Sequence, residues 1–374
     1  MRHYFLGAAA NQKHTLGHLF THGTEEDCAK LVDFLSKRYG GEAVLMKNGR
    51  SALCNALKTY FSKGDYVLVN GFTCYAVIEA LTVAGIRPMY ADIDPLNLNF
   101  NVDTLEAAIK KYEVLPKGII IQNSLGFPVD IKAIEGFAKK YKLVIIEDLA
   151  HCAGVHYQDG REAGTVGDAV ALSFGKEKSI DTISGGAVIF RELSFKARGI
   201  QITTPNQPAK KADSLRARFY PLFGKIFRGL SYVKLNGVFM RILLSLHWVE
   251  KSADNRLDLK RKISPFEAKL ALKQLSELKK SGEPPLRKFY LLDNRDEILR
   301  ELKKNGYYFD GFWYEKPVSP ERYYREVHFP EDKCPVAVAV SQRIINIPTY
   351  YTDSQLAPAE RFIREKGQHW SQKK

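Results

Sequence analysis

The first 200 residues alternate between two periods of hydrophobic positions. Short runs of apolar and β-branched residues predict strands covered on both faces at 66–70, 117–123, 142–148, 168–174 and 185–190. Runs with helical spacing lie between them at 50–61, 74–85, 103–113 and 130–141, with Asp103 and Asp130 placed as N-terminal caps. This alternation predicts an α/β fold with a mostly parallel sheet between helices. In such sheets, ligands bind at the carboxyl ends of the strands.

The second half of the chain has a different pattern. A polar, proline-containing break at 203–214 precedes residues 219–249, which contain four basic residues, no acidic residue and many large apolar ones. Helical spacing returns at 264–280 and 294–306, and residues 343–351 predict a strand that leads into a loop. We therefore predict a large domain over 1–215, a basic apolar helical insert or linker over 216–260, and a smaller C-terminal α/β domain over 261–374.

Composition narrows the possible functions. The chain has 374 residues and a formal net charge of +14, which favours anionic partners such as phosphorylated metabolites, an acidic membrane surface or nucleic acid. No nucleic-acid-binding motif accompanies this charge, so we expect no nucleic acid partner. The five cysteines are dispersed without a CxxC pair, which is typical of buried thiols in a reducing cytosol and argues against a metal site. The amino terminus has no signal-peptide pattern, and we expect a cytoplasmic protein.

The stretch "KNGRSALCNAL" (47–57) places Gly49, Arg50 and Ser51 where a helix is predicted to begin. Backbone N–H groups at a helix start, together with a serine hydroxyl, form a natural phosphate site. A plainer interpretation is that Ser51 only caps the helix. The residues alone leave both interpretations open.

Further candidates follow two later strands. Asp148 ends the strand in "VIIEDLAHCAG" (144–154), where it either pairs with a cationic nitrogen of a ligand or acts only as a turn cap. Ser173 lies near the end of the strand-like "AVALSF" (169–174), and Lys176 and Lys178 follow it, where a charged amine is costly unless it has a function. The turn "GFTCYAV" (71–77) offers side chains that can pack against a flat ring. A phosphate site, an acid, an amine and a ring-stacking wall together suit pyridoxal 5′-phosphate.

In this order, the motifs resemble the DegT/StrS-type sugar aminotransferases, a family of pyridoxal-phosphate-dependent enzymes. The resemblance covers most of the chain. It extends from "GRSAL" (49–53) through residues 64–109, "NSLGFPVDIKAI" (123–134), "VIIEDLAHCAG" and "GDAVALSFGKEKSIDTISGGAVIF" (167–190) to "SPFEAKLALKQL" (264–275) and "INIPTYYTD" (345–353). It implies the aspartate-aminotransferase-like fold (fold type I), with a large cofactor-binding domain and a smaller C-terminal α/β domain. It also implies pyridoxal 5′-phosphate as the cofactor.

The resemblance assigns roles to the catalytic candidates. In the family, the lysine that links covalently to the cofactor lies five positions after a serine and precedes a glycine pair, which indicates Lys178 rather than Lys176. Asp148 would face the pyridine nitrogen and keep it charged. His151 takes the place where the family often has glutamine, near the phenolic oxygen.

The same resemblance implies how the rest of the cofactor is held. A ring-stacking role falls to Tyr75, because Cys74 occupies the position where the family usually has an aromatic residue. Four residues would hold the phosphate: Gly49, Arg50, Ser51 and Ser173.

The function implied is a ping-pong transamination. An amino acid donor such as glutamate would supply the amine to a keto sugar, bound as a sugar nucleotide, in amino-sugar or surface-polysaccharide biosynthesis. The family's sites are completed by a second subunit, so the resemblance also implies a homodimer. Family members that dehydrate sugars omit the lysine, and Lys178 therefore favours amination. Two alternatives stay open: a sugar dehydratase of the same family, and a non-catalytic, membrane-associated protein with this fold.

Departures from the family pattern concern the substrate more than the cofactor. Arg50 and Ser184 stand where threonine and glutamate are usual, and "KRKISPF" (260–266) lacks the usual Asn-x-Arg.

Residues 219–249 allow three interpretations. They form a packed helical pair over the dimer interface or the active site, or an amphipathic element on the anionic inner face of a membrane. A spanning helix is disfavoured, because four cations interrupt every window of about 20 residues: Lys225, Arg228, Lys234 and Arg241.

Overall fold

The computed structural model describes residues 4–5, 16–191, 202–249, 257–309, 313–351 and 353–370. Its central element is a seven-stranded sheet in the order β2-β9-β8-β7-β6-β3-β5. The strands are β2 (Glu42–Met46), β3 (Tyr66–Asn70), β5 (Arg87–Ala91), β6 (Gly118–Ile121), β7 (Val144–Asp148), β8 (Ala169–Ser173) and β9 (Gly186–Phe190). Strand β9 is antiparallel to both of its neighbours, while β5, β3, β6, β7 and β8 pair in parallel. The mostly parallel sheet predicted from the sequence is therefore confirmed.

Helix α1 (Glu25–Tyr39) precedes β2, and four helices connect the strands from β2 to β7: α2 (Gly49–Tyr60), α3 (Tyr75–Ala84), α4 (Val102–Tyr112) and α5 (Ile131–Tyr141). Asp130 caps α5 as predicted, since its carboxylate accepts a hydrogen bond from the backbone of Ala133 at 3.1 Å. The prediction of Asp103 as a cap is wrong. Asn101 caps α4 instead, because it exchanges hydrogen bonds of 3.0 Å with Thr104, and Asp103 lies in the first turn.

The sheet is covered on both faces by separate apolar cores. One core joins alternate sheet residues such as Leu68 and Ile145 to α1, α4 and α5. The other core joins Val67 and Ile146 to α2 and α3. Because successive strand residues point to opposite faces, strands buried on both sides read as continuous apolar runs.

The C-terminal part adds short strands and helices around this sheet. They are α8 (Pro265–Ser276), β10 (Arg287–Leu291), α9 (Arg295–Lys304), β11 (Tyr307–Tyr308), β12 (Val318–Ser319), α10 (Glu321–Tyr324), α11 (Pro335–Ser341), β13 (Ile344–Pro348) and α12 (Asp353–Lys366). Strands β10 and β13 pair antiparallel, β11 pairs with β1 (Tyr4–Phe5), and β12 pairs with β4 (Thr73–Cys74). Helix α8 packs in the same core as α1, with Ala268 and Leu275 fully buried. The domain boundaries stay a prediction.

The basic apolar segment folds as a helical hairpin, which agrees with the packed helical pair of the first interpretation. Its position over a dimer interface or over the active site stays a prediction. The hairpin consists of α6 (Lys211–Ser231) and α7 (Asn236–Ser245). Helix α6 begins inside the stretch predicted as a break, so polar composition at 203–214 did not mark the helix start. Within the described ranges, no helix is long and apolar enough to cross a membrane.

Candidate active site

A cleft opens at the carboxyl edge of the sheet, beside the ends of β7 and β8 and the start of α2. Six of the residues predicted for the site line this cleft: Gly49, Arg50, Asp148, His151, Ser173 and Lys178. They meet because the carboxyl ends of parallel strands share one edge of the sheet, and the helix that follows β2 starts at the same edge.

The amine of Lys178 contacts the ring of His151, with 3.1 Å between Nζ and Nε2. The other ring nitrogen, Nδ1, accepts a hydrogen bond from the backbone N–H of Leu125 at 3.2 Å. Burial, with added effects of Lys178 and Arg287, holds the pKa of His151 well below its usual value, so the ring is neutral. Nε2 and Nζ are within hydrogen-bonding distance, so the ring can hold the amine in place by a hydrogen bond.

The two acids at the end of β7 have different environments. Glu147 is fully buried, and its carboxylate accepts hydrogen bonds from the Tyr157 hydroxyl and the backbone of Gly164 at 2.8 and 2.7 Å. It holds the loop between β7 and β8 and does not line the cleft. Asp148 faces the cleft and accepts a hydrogen bond from Ala150 N–H at 3.0 Å.

Burial raises the pKa of Asp148, whereas the hydrogen bond from Ala150 and the charge of Lys178 act in the opposite direction. A carboxylate that is desolvated in this way is stabilised by a cationic partner in the cleft.

The start of α2 approaches the end of β8 closely. A Cβ added at Gly49 would lie 2.4 Å from Cβ of Ser173, so this approach requires glycine. Asn48 caps the helix, because its side-chain oxygen accepts hydrogen bonds from the backbone and the hydroxyl of Ser51, both at 2.8 Å. The Ser51 hydroxyl also accepts a hydrogen bond from Asp258 N–H at 2.9 Å. Ser51 is therefore fully buried within the cap structure and is not among the cleft-lining residues.

Arg50 lines the cleft and also forms a buried ion pair. Its guanidinium lies 2.5 Å from a carboxylate oxygen of Glu79 on α3. Burial raises the pKa of Glu79, and the charge of Arg50 lowers it. Arg50 thus contributes a positive charge beside the first turn of α2, whose N–H groups have no partner within the helix.

Tyr75 lies outside the cleft lining. Its ring stacks on Tyr323 with a centroid distance of 4.0 Å and an interplanar angle of 8°. The neighbouring residues Cys74, Ala76 and Val77 line the cleft instead. The residue that stacks on the cofactor ring stays a prediction.

Two aromatic residues of the C-terminal part belong to the site and were not predicted. The indole of Trp313 stacks on His151 at 4.9 Å, and Nζ of Lys178 lies 4.7 Å from the centroid of the indole ring. Burial raises the pKa of Tyr314 well above its usual value, and nearby Cys74 and Asp148 act in the same direction. The only sequence signal for these two residues is the aromatic stretch "FWYEKPV" (312–318). This stretch does not indicate which distant segment it packs against.

These residues fit pyridoxal 5′-phosphate. The Tyr314 hydroxyl is buried, is influenced by the charge of Asp148 and has no hydrogen-bond partner among the residues that the structure describes, so it needs a polar partner from outside these residues. Gly49 allows the backbone at the start of α2 to approach Ser173 closely. An amine for an aldehyde, a carboxylate for a pyridine nitrogen and a helix start for a phosphate lie in one cleft.

Comparison with known proteins agrees with this chemistry. A sequence model of the DegT/DnrJ/EryC1/StrS aminotransferase family matches residues 18–221. A "Pleiotropic regulatory protein" of Geobacillus stearothermophilus is 33% identical over 159 residues, which is 41% of this chain and 42% of that protein. The UDP-2-acetamido-2-deoxy-3-oxo-D-glucuronate aminotransferase of Pseudomonas aeruginosa is 32% identical over 162 residues, 43% of each chain. The match thus spans less than half the length of both relatives.

A similar solved structure is that of a putative sugar aminotransferase, Spr1654 of Streptococcus pneumoniae, in its PMP form. It superimposes with a TM-score of 0.63 at 19% identity and covers 96% of each chain. The same protein has also been solved in its PLP form.

The chain belongs to the DegT/DnrJ/EryC1/StrS aminotransferase family, since the family model matches more than half of its length. Its fold is that of the pyridoxal-phosphate-dependent aminotransferases, as the sequence predicted. The expected cofactor, pyridoxal 5′-phosphate, is the cofactor of this family.

Proposed function

We propose that the protein transfers an amino group from an amino acid donor such as glutamate to a keto sugar carried on a nucleotide. Such a reaction belongs to amino-sugar or surface-polysaccharide biosynthesis. The observation that carries the proposal is the contact between Lys178 and His151 at 3.1 Å in a cleft that also contains Asp148. The sugar-nucleotide name of the Pseudomonas aeruginosa relative and the net charge of +14 support an anionic substrate.

When bound, pyridoxal 5′-phosphate supplies an aldehyde that takes up amino groups reversibly and a ring that accepts electron density. Nζ of Lys178 would accept a proton from the substrate carbon and return it to the carbon that carried the cofactor's aldehyde, as a general base and then a general acid. His151 orients Nζ through Nε2. Asp148 provides a fixed negative charge that holds a proton on a ring nitrogen, and Arg50 orients a phosphate at the start of α2.

The presence of an amine at position 178 also weighs against the alternatives. A dehydratase of this family omits that lysine, and a non-catalytic protein has no need of an amine held against a neutral histidine. The neighbouring Lys176 does not share this environment, because its Nζ lies 4.8 Å from the ring of Tyr220 on α6.

A pair of lysine variants tests the assignment. The purified protein is loaded with pyridoxal 5′-phosphate and reduced with borohydride, and peptide mapping then locates the residue that carries the cofactor. We expect the label on Lys178 in the natural protein and in Lys176→Ala, and no label in Lys178→Ala. Label on Lys176 alone would contradict the proposal.

A second experiment measures the activity of the same variants. Keto-sugar nucleotides are screened as substrates with glutamate as the donor, and the reaction is followed by the absorbance of the cofactor. We expect Lys178→Ala to lower the rate about 10²- to 10⁴-fold and Lys176→Ala to keep most of it. A Lys178→Ala protein with the natural rate would refute the role of Nζ as the proton carrier.

The proposal includes a homodimer in the cytoplasm. Light scattering of the full chain should give twice the mass of 42.4 kDa, and a monomer would contradict this part alone. Peripheral contact of residues 219–249 with a membrane is independent of the amine transfer and rests on the surface of α6 and α7.

A further inference from the structure

The hairpin of α6 and α7 has an aromatic seam between its two helices. Phe223 contacts Phe219, Phe239 and Trp248, with ring centroids 5.6–6.4 Å apart. Leu243 is buried in the same region. These contacts bury apolar side chains on the inner faces of both helices, so the packing of the hairpin does not depend on its outer face.

The outer face of the hairpin is nonetheless apolar. Leu235, Val238, Ile242 and Leu246 are 52%, 44%, 50% and 62% exposed. They follow one another at intervals of three or four residues, which places them in one stripe along α7. The turn before α7 adds a residue to this surface, since Val233 is 63% exposed. A contiguous apolar patch of this kind marks a binding surface, whereas scattered exposed apolar residues do not.

The charges around this stripe have one sign. Lys234 and Arg241 are exposed and lie within the sequence span of the stripe or next to it, Lys225 is exposed on α6, and Arg228 is partly exposed. Residues 219–249 contain no aspartate or glutamate. The surface therefore combines apolar side chains with cations that have no carboxylate within the same segment.

We propose that the outer face of α6 and α7 docks the protein on a bilayer that contains anionic lipid. The stripe on α7 would lie at the boundary between headgroups and acyl chains, and the cations would contact the headgroups. The contact is interfacial, consistent with the absence of a spanning helix in the described residues. A second copy of the chain suits this face less well, because a two-fold interface would bring the same cations of both copies together without acids.

A charge-reversal variant tests the electrostatic part with vesicles. The full-length protein is sedimented with vesicles of phosphatidylcholine alone or with one quarter phosphatidylglycerol, at low and moderate salt. Each cation near an anionic surface strengthens binding about fivefold, so the triple variant K225E/K234E/R241E should bind the mixed vesicles at least a hundredfold more weakly. The control K58E/K63E/K110E makes the same change in net charge at three exposed lysines elsewhere and should bind within a few-fold of the natural protein.

A second pair of variants tests the apolar part. V238S/I242S removes the centre of the stripe and should weaken binding by about tenfold per side chain. The control L96S/L115S removes two apolar side chains that are 83% and 65% exposed on other elements, and it should bind normally. All variants should keep the cofactor's absorbance, which shows that they are folded.

Three results would overturn the proposal. The first is no binding of the natural protein to the mixed vesicles. The second is an equal loss of vesicle binding in each variant and its control, which would show that binding depends only on net charge or on non-specific hydrophobic contact. The third is a dimer that V238S/I242S converts to a monomer, which would give this face to a second copy.

Discussion

An alanine at position 49 would place a methyl carbon 2.4 Å from Cβ and 2.7 Å from Oγ of Ser173. An ordinary contact between carbons is about 3.5 Å, so the start of α2 must move about 1 Å away from the end of β8. No flexible side-chain end can yield, because the nearest atoms of Ser173 are close to its backbone. Overpacking of this kind costs about 1–3 kcal/mol, which outweighs the roughly 0.5–1 kcal/mol that alanine gains over glycine in a helix.

The expected result of Gly49→Ala is weaker cofactor binding and a loss of up to about 10²-fold in kcat/KM, since displacements near 1 Å have such effects. The free energy of unfolding, measured with urea, should fall by about 1–2 kcal/mol. Titration with pyridoxal 5′-phosphate, followed by absorbance, gives the cofactor affinity.

Gly136→Ala is the matched control, because a methyl group there meets no atom within 4 Å on α5. It should stabilise the protein by about 0.5–1 kcal/mol and leave cofactor affinity unchanged. If Gly49→Ala behaves like Gly136→Ala in both measurements, the close approach of α2 to β8 does not build the cofactor site.

Two further predictions concern buried charges of the cleft. Because the pKa of His151 lies well below 6.5 in the folded protein, below pH 6.5 the unfolded chain binds a proton that the folded chain does not, so stability falls as the pH drops. Between pH 6.5 and 5.5 the natural protein should therefore lose up to about 1 kcal/mol more than His151→Gln in urea titrations, and parallel losses would contradict a neutral buried ring. Arg50→Met should cost about 1–3 kcal/mol, because it leaves the partly buried carboxylate of Glu79 without its cation. The double variant R50M/E79L should recover most of this loss, and a failure to recover would show that the ion pair is not what the single variant breaks.

The hydrophobic period of the chain was sufficient to predict most elements of the large domain. Strand β3 has the predicted bounds, Tyr66–Asn70, and the other predicted strands and helices of this domain differ by at most two residues at either end. Such elements are encoded locally, because the apolar period and the capping residues lie within the element itself. The grouping of Gly49, Asp148 and Lys178 also follows from local pattern, since parallel strands bring their carboxyl ends to one edge.

Within the central sheet, the two strands that were not predicted are β2 and β5, which form its edges. An edge strand has a partner on one side only, and its short run becomes a strand through the hydrogen bonds of that neighbour. The antiparallel direction of β9 was likewise invisible in its apolar run, because direction is a property of a pair of strands.

The positions of individual side chains in the site were decided by the tertiary structure. The Ser51 hydroxyl donates a hydrogen bond to the helix cap residue Asn48 and accepts one from Asp258 N–H, and Tyr75 stacks on Tyr323. Trp313 comes from the C-terminal part of the chain to cover Lys178. The sequence by itself determined the family, the sheet and the residue types at its carboxyl edge. Which of these side chains meet was settled by packing between distant segments, because such contacts leave no period or spacing in the sequence.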